Sequence, residues 1–289
     1  MSAYRIVTEA TSDLPQSLVE ELGVVVIPME CRMEDKVYIT EPTGKDLDPA
    51  FFYGQMRAGA TASTSQINAF SFVSCFTEQF EAGLDVIYFA LSSALTSRVA
   101  ANLAMEELQP KYPGRRFIMM DTLCASLGLG LFVYAAARKQ REGMEMDALA
   151  AWAEENRLRV CHWFTVEDLK YLVKSGRLSS VSGFVGTALN IKPVLNVDNG
   201  GRLAPLEKVQ GRRRSLKTLV EHMEAGFIPE ENDVVFIGHA DCAEDADYVR
   251  QLAEERLGVK KFVINYIGPV IGAHSGPGTV ALFHFAAHR

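Results

Sequence analysis

Hydroxyl-bearing residues form two of the clusters whose types and spacing could do chemistry. Thr64 and Ser65 lie in a hydroxyl-rich stretch, residues 61–66, just before a predicted helix, and Ser92 and Ser93 follow an apolar run. Hydroxyls and free backbone N–H groups at such places can bind an anionic group. Each cluster taken alone is also typical of a helix cap. The sequence therefore predicts an anion site only when these clusters are combined with other residues.

His274 is the most distinctive single residue of the chain. It lies in a segment rich in glycine and proline, residues 268–278, which we expect to be a loop. Glycine lets a backbone approach a ligand closely, and a histidine held there can donate to a carboxylate in a charge-assisted hydrogen bond. The alternative is a histidine whose ring is satisfied by a backbone carbonyl of a tight loop.

Basic residues form a third group of candidates. Arg212, Arg213 and Arg214 are consecutive, and Arg177 follows Gly176, on a chain that is acidic as a whole. Such residues can dock an acidic partner or bind a phosphate. A run of charges is as often a solvated face, and the sequence leaves both interpretations open.

The chain lacks the short signatures of the common enzyme classes. It contains no GxxxxGK(S/T) phosphate loop, no GxGxxG after the first strand, and neither GxSxG nor HExxH. Acidic residues do not cluster at the spacing of metal ligands, and the five cysteines are scattered without a CxxC pair. We therefore predict no metal site, no cofactor and no catalytic residues, and a chain that is not an enzyme by itself.

Composition narrows the classes of protein further. The 289 residues carry 29 basic and 36 acidic side chains, a net charge of −7, which argues against a nucleic-acid partner. No apolar stretch approaches the roughly 20 residues needed to span a bilayer, and the N-terminus shows no basic segment followed by an apolar run. We expect a soluble, cytoplasmic protein without integral membrane association, and we leave open a transient contact with a membrane surface.

The elements that must position these residues follow an α/β pattern. Up to Gly143, apolar strands alternate with helices and end in small polar residues, which predicts a three-layer α/β/α domain with a parallel sheet. Beyond it, a hairpin joining residues 193–197 and 203–209 predicts a two-layer α/β domain with a mixed sheet. We place the domains at residues 1–158 and 159–289. Ligands of open α/β sheets bind at the carboxyl ends of strands, where the hydroxyl pairs would lie.

Short polar and glycine-containing motifs occur at intervals along residues 7–285. They are the segments Thr8-Glu9-Ala10-Thr11-Ser12-Asp13-Leu14, Thr64-Ser65-Gln66, Leu91-Ser92-Ser93-Ala94-Leu95, Asp121-Thr122 with Ala125-Ser126-Leu127-Gly128, Leu189-Asn190-Ile191-Lys192-Pro193, Pro205-Leu206-Glu207-Lys208-Val209 and the His274 segment. Taken in order, these motifs resemble the DegV family of bacterial fatty-acid-binding proteins. The chain departs from the usual pattern of that family in having Glu9 in place of Asp, Ile67 in place of Pro, Thr96-Ser97 in place of Ser-Gly and Gln210 in place of a frequent Arg.

The resemblance implies a DegV-like fold and a function as a lipid carrier. A long-chain fatty acid would be buried between the two domains, with its carboxylate held by Thr64 or Ser65, by Ser92 and Ser93, and by His274. The family also implies a role as the binding subunit of a bacterial fatty acid kinase, in which a separate ATP-using subunit converts the presented carboxylate to an acyl phosphate. Residues implied in docking that partner are Arg177, Arg212 and Arg213.

Two other functions stay open at this point. Ser93 as nucleophile and His274 as base would fill two roles of a hydrolase or acyltransferase, although no acidic residue is obviously placed to orient the histidine. A regulatory module could instead bind a phosphate ligand through the arginine run and the hydroxyls that follow the strands.

Overall fold

The computed structural model describes residues 3–178 and 190–289. The part of the Leu189–Pro193 motif that falls on residue 189 lies outside this range. In chain order the strands are β1 (Tyr4–Glu9), β2 (Val25–Ile27), β3 (Met29–Met33), β4 (Lys36–Thr40), β5 (Ala62–Thr64), β6 (Asp85–Ala90), β7 (Phe117–Asp121), β8 (Val160–Thr165), β9 (Ile191–Val197), β10 (Leu203–Gln210), β11 (Val235–His239), β12 (Phe262–Tyr266) and β13 (Val280–Phe285). The helices are α1 (Gln16–Leu22), α2 (Pro49–Arg57), α3 (Ala69–Glu81), α4 (Val99–Leu108), α5 (Leu127–Arg141), α6 (Met146–Asn156), α7 (Lys170–Lys174), α8 (Arg212–Gly226), α9 (Ala243–Leu257) and α10 (Pro269–Ser275).

The N-terminal half is built on a parallel sheet in the order β2-β1-β6-β7. All six residues of β6 are buried, because helices cover both faces of the sheet. On one face α3 and α4 pack against Val7, Val86 and Tyr88. On the other face α5 and α6 pack against Ile87 and Phe89. This arrangement confirms the predicted three-layer α/β/α architecture.

The C-terminal half is built on a mixed sheet in the order β10-β9-β8-β13-β11-β12. β11 and β12 run parallel, and the other neighbouring strands run antiparallel, as predicted. Helices α8 and α9 cover one face, where Leu219 and Val249 pack with Val235 and Leu282. The opposite face contacts α5, so this helix lies between the two sheets.

A third, small sheet was not predicted from the sequence. Its strands β4, β3 and β5 are antiparallel, with β3 in the middle. The apolar run over residues 24–29 is typical of a single strand, but it forms parts of two, because Pro28 lies between β2 and β3 and the chain changes sheet there. The hydroxyl-rich stretch also forms a strand, in which Thr64 pairs with Cys31. This pairing fixes the direction in which the stretch presents its side chains.

His274 lies in a helix, α10, and the prediction of a loop was wrong. Pro269 occupies the first turn, where its missing N–H costs nothing. Gly272 packs against the ring of Tyr53, and a Cβ at this position would lie 2.2 Å from the Tyr53 hydroxyl. The glycine is therefore required by close packing of α10 on α2. The sequence had suggested instead that it lets the backbone approach a ligand.

Ser12 and Asp13 are residue types that often cap a helix, and they precede the first helix of the chain. Ser12 belongs to a short 3-10 turn, Asp13 adopts a left-handed backbone conformation with φ of 52°, and Pro15 stands at the N-cap of α1. Neither Ser12 nor Asp13 caps that helix. Asp13 contacts the other half of the molecule instead.

The two halves share one apolar core. A single cluster of buried side chains includes Ile87 and Phe89 of the parallel sheet as well as Phe164 and Phe236 of the mixed sheet. The boundary predicted between residues 158 and 159 falls in the 3-10 turn Arg157–Arg159, between α6 and β8, and its position stays a prediction. No described helix is both long enough and apolar enough to cross a membrane.

Candidate functional site: a cavity between the two halves

A cavity of about 220 Å³ lies between the two halves of the molecule. Side chains from both halves line it, so that neither half encloses the space alone. The lining residues are Thr11, Met29, Thr64, Ser65, Gln66, Leu91, Leu95, Thr96, Ala125, Ser126, His162, Phe164, Leu172, Arg177, Val197, Leu203, Ile267, Val270, Ile271, His274, Ser275, Thr279, Ala281 and Phe283.

Most of the cavity wall is apolar. Phe164 and Phe283 come from neighbouring strands of the mixed sheet, Leu203 comes from β10, Leu172 from α7 and Ile271 from α10. Over most of its area such a wall offers a ligand apolar surface. The cavity is therefore suited to an apolar chain.

Polar residues from several elements line the cavity, among them Gln66, Ser126 and Thr279, and one group of them centres on Thr64 and His274. Thr64, at the end of β5, and His274, on α10, are joined by a hydrogen bond of 2.9 Å between Oγ1 and Nε2. Within the part of the chain that the structure describes, neither Nδ1 of His274 nor the buried Oγ of Ser275 has a hydrogen-bond partner. Ser65 also lines the cavity. We call Thr64, Ser65, Arg177, His274 and Ser275 the open polar end.

His274 is neutral at neutral pH in this environment. Burial lowers the pKa of its imidazole to about 4, and the positive charge of Arg177 acts in the same direction. A neutral imidazole has one N–H donor and one acceptor nitrogen. With Nε2 bonded to Thr64, one nitrogen remains to interact with a ligand, but the ring carries no charge.

Arg177 stands at the junction of the cavity with a wider crevice. The crevice measures about 1190 Å³ and shares Thr64, Arg177 and His274 with the cavity. Arg177 is half-buried, and its Nη1 donates to the carbonyl oxygen of Ser175 at 2.9 Å. The family resemblance had implied partner docking for this arginine, and the sequence alone had left a phosphate ligand or a solvated face open.

Ser92 and Ser93 are not brought to the cavity. The buried Ser92 Oγ donates to the carbonyl oxygen of Gly201 at 2.8 Å, and the exposed Ser93 Oγ donates to Asp121 Oδ2 at 2.7 Å. From the same loop, Leu91, Leu95 and Thr96 line the cavity instead. The hydrogen bond required between Ser93 and His274 in a hydrolase is absent in this structure, because each side chain is bonded to another residue.

Ser92 instead ties the two halves together. Gly201, in the hairpin between β9 and β10, approaches so closely that a Cβ there would lie 2.1 Å from Ser92 Oγ, and its φ of 74° favours glycine. The turn glycine and the buried serine are therefore fitted to each other across the interface.

Asp13 makes a second tie between the halves. Its Oδ1 accepts from the backbone N–H of Gly268, at the start of α10, at 3.0 Å, and its carbonyl oxygen accepts from Asn265 Nδ2 at 2.8 Å. Its Oδ2 accepts from Oγ of Ser126, a residue that lines the cavity, at 2.5 Å. Burial raises the pKa of Asp13 to about 7, although the bonds from Ser126 and Gly268 favour ionisation. The sequence gave no signal for this role beyond a possible helix cap.

The other two candidate docking residues lie apart from the cavity. Arg212 is largely covered, and it donates to Asp245 Oδ2 at 2.8 Å and to the carbonyl oxygen of Gly278 at 2.6 Å. Arg213 is exposed and lies over the ring of Tyr248, 3.9 Å from its centroid. Arg212 thus holds α8 to its neighbours, and Arg213 is the more accessible charge. Their role in docking stays a prediction.

No candidate metal centre accompanies the cavity. Among residues 3–178 and 190–289, no three His, Cys, Asp or Glu side chains come together in a way that could hold a metal ion.

The fold and the cavity define a two-domain α/β protein that encloses an apolar space between a parallel and a mixed sheet. Residues 3–287 match the family model described as "Uncharacterised protein, DegV family". The chain belongs to the DegV family.

Relatives of known sequence or structure cover almost the whole chain. A DegV domain-containing protein of Clostridium perfringens is 39% identical over 284 residues, which are 98% of this chain and 97% of the relative. A DegV family protein from Thermus thermophilus, whose structure was described for its fatty acid binding, is 30% identical with a TM-score of 0.84 and covers 98% and 99% of the two chains. A DegV lipid-binding protein from Thermotoga maritima is 27% identical with a TM-score of 0.83 and covers 99% of both chains.

Proposed function

We propose that this protein binds one long-chain fatty acid in the cavity between its two halves. The observation that carries the proposal is a cavity with a mostly apolar surface, in which the hydrogen-bonded pair of Thr64 and His274 and the charged Arg177 stand together at the junction with the crevice. The solved relative from Thermus thermophilus binds fatty acid with the same fold, which supports the same ligand class here.

Burial of the tail supplies most of the affinity in this proposal. Each CH₂ removed from water contributes about 0.8 kcal/mol. An isolated carboxylate would oppose this gain if it were buried without donors. The hydroxyls of Thr64 and Ser65 and the imidazole of His274 stand at the polar end, where they can bond to the head group.

The second part of the proposal concerns the fate of the bound acid. The polar end adjoins the wide crevice, so a carboxylate there stays within reach of another protein. We infer that the chain presents this carboxylate to an ATP-dependent fatty acid kinase, which would form an acyl phosphate in the cytoplasm. The exposed Arg213, together with Arg212, would contribute to docking that partner.

Identification of the lipid carried by the purified protein tests the first part. We expect an organic extract to contain fatty acid at about one molecule per chain by mass spectrometry, and the delipidated protein to bind oleate and palmitate in calorimetry. Protein that is free of lipid after expression and that ignores both acids would overturn the proposal.

Reconstitution tests the second part. The loaded protein is incubated with ATP and a lysate of the source organism, and acyl phosphate is trapped with hydroxylamine. We expect the Arg213→Ala variant to form less product and to bind oleate as the original chain does. Loaded protein that yields no acyl hydroxamate would contradict the kinase role but not the binding of fatty acid.

A further inference from the structure

Asp13 links the wall of the cavity to the helix that carries His274. Its Oδ2 accepts a hydrogen bond from Oγ of Ser126, a residue of the cavity wall. Its Oδ1 accepts from the backbone N–H of Gly268, the N-cap of α10, and His274 lies in the last turn of that helix. A link between Asp13 and a bound lipid rests on the proposed function, because the lipid is the fatty acid proposed there.

Within the described residues, no positive charge stands beside this carboxyl group to offset its ionisation. Asp13 is only 6% exposed. It also lines a second pocket, together with Glu41 and Asp48, and none of the described lining residues of that pocket is Lys, Arg or His. An ionised Asp13 is therefore a buried negative charge in acidic surroundings.

The elements packed against Asp13 present neutral groups to it. From α5 and α10 it meets the Ser126 hydroxyl and the Gly268 N–H. The phenol of Tyr53 faces it from α2 and that of Tyr266 from β12, and burial raises the pKa of both phenols, so they keep their protons at neutral pH. Asp13 is thus the group of this contact whose charge can change near neutrality.

Both protonation states of Asp13 fit the same contacts. Burial raises its pKa to about 7, while the bonds from Ser126 and Gly268 act in the opposite direction. A protonated carboxyl group keeps one oxygen to accept from Gly268, and its O–H can donate to the oxygen of Ser126. Protonation therefore changes the charge of this contact and leaves its geometry in place.

The carboxylate of a bound fatty acid would lie within the field of this charge. His274 follows Gly268 by six positions in α10, which at about 1.5 Å a residue is about 9 Å along the helix. Two negative charges roughly 10 Å apart repel each other, and the repulsion is strongest where protein rather than salt water lies between them. The ligand and Asp13 would therefore affect each other without touching.

We propose that Asp13 takes up a proton when the cavity binds a fatty acid anion, so that the affinity for the anion falls as the pH rises through neutrality. An anion that repels ionised Asp13 raises the pKa of this carboxyl group, and by linkage the protonated protein binds the anion more tightly. His274 does not produce this slope, because its pKa is about 4. Asp13 acts here as a positioning residue.

The pH dependence of oleate affinity tests this coupling in Asp13→Asn, a variant that keeps the contacts without the charge. The amide oxygen can accept from Gly268, and the amide nitrogen can donate to Ser126. Relative to this variant, we expect the affinity of the delipidated original protein to fall roughly 3- to 10-fold from pH 6 to pH 8.5. Taking the ratio cancels the titration of the ligand's own carboxyl group.

Asp48→Asn is the matched control. It removes the same charge from an exposed side chain of the pocket that Asp13 lines, and the amide oxygen can still cap α2. Its oleate affinity should depend on pH as that of the original protein does.

Calorimetry counts the proton directly. Oleate is titrated into each protein at pH 7 in two buffers whose ionisation enthalpies differ, and the difference in heat gives the number of protons taken up. We expect the original protein and Asp48→Asn to take up more protons for each oleate bound than Asp13→Asn does.

Ser126→Ala keeps the inference testable if Asp13→Asn does not fold. It removes a donor that favours the ionised form of Asp13, which should raise the pKa of this carboxyl group further. The fall in oleate affinity should therefore move to higher pH, whatever the change in affinity at low pH.

The outcomes separate this inference from the proposed function. Equal pH dependence and equal proton uptake in the original protein and Asp13→Asn would overturn the coupling and leave the binding of fatty acid intact. A fall in affinity at the same pH in Ser126→Ala and the original protein would overturn it as well. Original protein that binds no oleate at any pH would overturn the proposed function and this inference together.

Discussion

The open polar end of the cavity and the contacts that Ser92 and Asp13 make between the two halves contain similar polar residues. Their hydrogen bonding differs. Thr64, Ser275 and His274 either bond to one another or lack a partner within the described part of the chain. Ser92 and Asp13 instead bond to backbone groups of the opposite half. Buried polar groups that the fold does not satisfy are costly. The difference agrees with the proposed function, in which the first group would bond to a ligand while the second holds the two halves together.

The first prediction concerns Asp13 and the pH dependence of stability, for which we expect the largest effect. Because its pKa is raised by burial to about 7, the folded protein holds this proton more tightly than the unfolded chain does. Stability therefore falls as Asp13 ionises, from about pH 4 until the pH passes its folded pKa. We expect the free energy of unfolding of the original chain, relative to Asp13→Asn, to drop by about 3 kcal/mol between pH 5 and pH 8.

Urea denaturation of both proteins at the two pH values measures this drop. Taking the difference cancels the contribution of the buried histidines, which titrate in both proteins. If the free energy of unfolding depended on pH equally in the two proteins, Asp13 would not be the group whose titration changes the stability.

The second prediction addresses the open polar end. Thr64→Val keeps the shape of the side chain but removes the hydroxyl that bonds to His274. We expect oleate affinity to fall by about 10-fold or more, because hydrogen bonds to a charged group are the stronger ones. Ser93→Ala is the control, since its hydroxyl bonds to Asp121 away from the cavity, and it should change affinity less than about 2-fold. Similar losses of oleate affinity in both variants would contradict the conclusion that Thr64 faces the ligand and Ser93 does not.

The third prediction addresses the tie at Ser92. Ser92→Ala leaves the buried carbonyl of Gly201 without its donor, which should cost about 1–2 kcal/mol of stability in chemical denaturation. Oleate affinity of the folded variant should be unchanged. Ser93→Ala again serves as control, with a loss below about 0.5 kcal/mol. A stable Ser92→Ala variant with weakened oleate binding would move Ser92 into the ligand site.

The elements with a strong local pattern could be predicted from the sequence. Helix α9 is one of them, because its apolar residues recur at helical spacing and Gly258 ends it in a left-handed conformation. The hairpin of β9 and β10 follows from its turn residues. Alternation of strands and helices also indicated the two sheet types correctly.

The elements that depend on distant partners could not be predicted. Strand β5 has only three residues and becomes a strand because it pairs with β3, about thirty residues earlier. The segment around His274 looks like a loop because of its glycines, but packing on Tyr53 makes it a helix. Local propensity is weak beside such tertiary contacts.

Only part of the site was predicted, because some of its residues also depend on distant partners. Thr64, Ser65 and His274 were recognised and the structure brings them to one cavity, although their contact with a ligand remains to be measured. The sequence could not show that Ser92 bonds to Gly201, because the two residues are 109 positions apart. The sequence shows that a hydroxyl is present, but it does not show whether that hydroxyl bonds to a ligand or to another part of the protein.

Helix α5 and the core that it shares with both sheets limit how a bound lipid could leave. Swinging the halves apart would expose Phe89 and Phe236 to water, at about 25 cal/mol for each Å² of apolar surface. Such an opening would break the bonds of Asp13 and Ser92 as well. Exchange of cargo is therefore expected to proceed by small local displacements at the mouth of the crevice, while the body of the molecule stays closed.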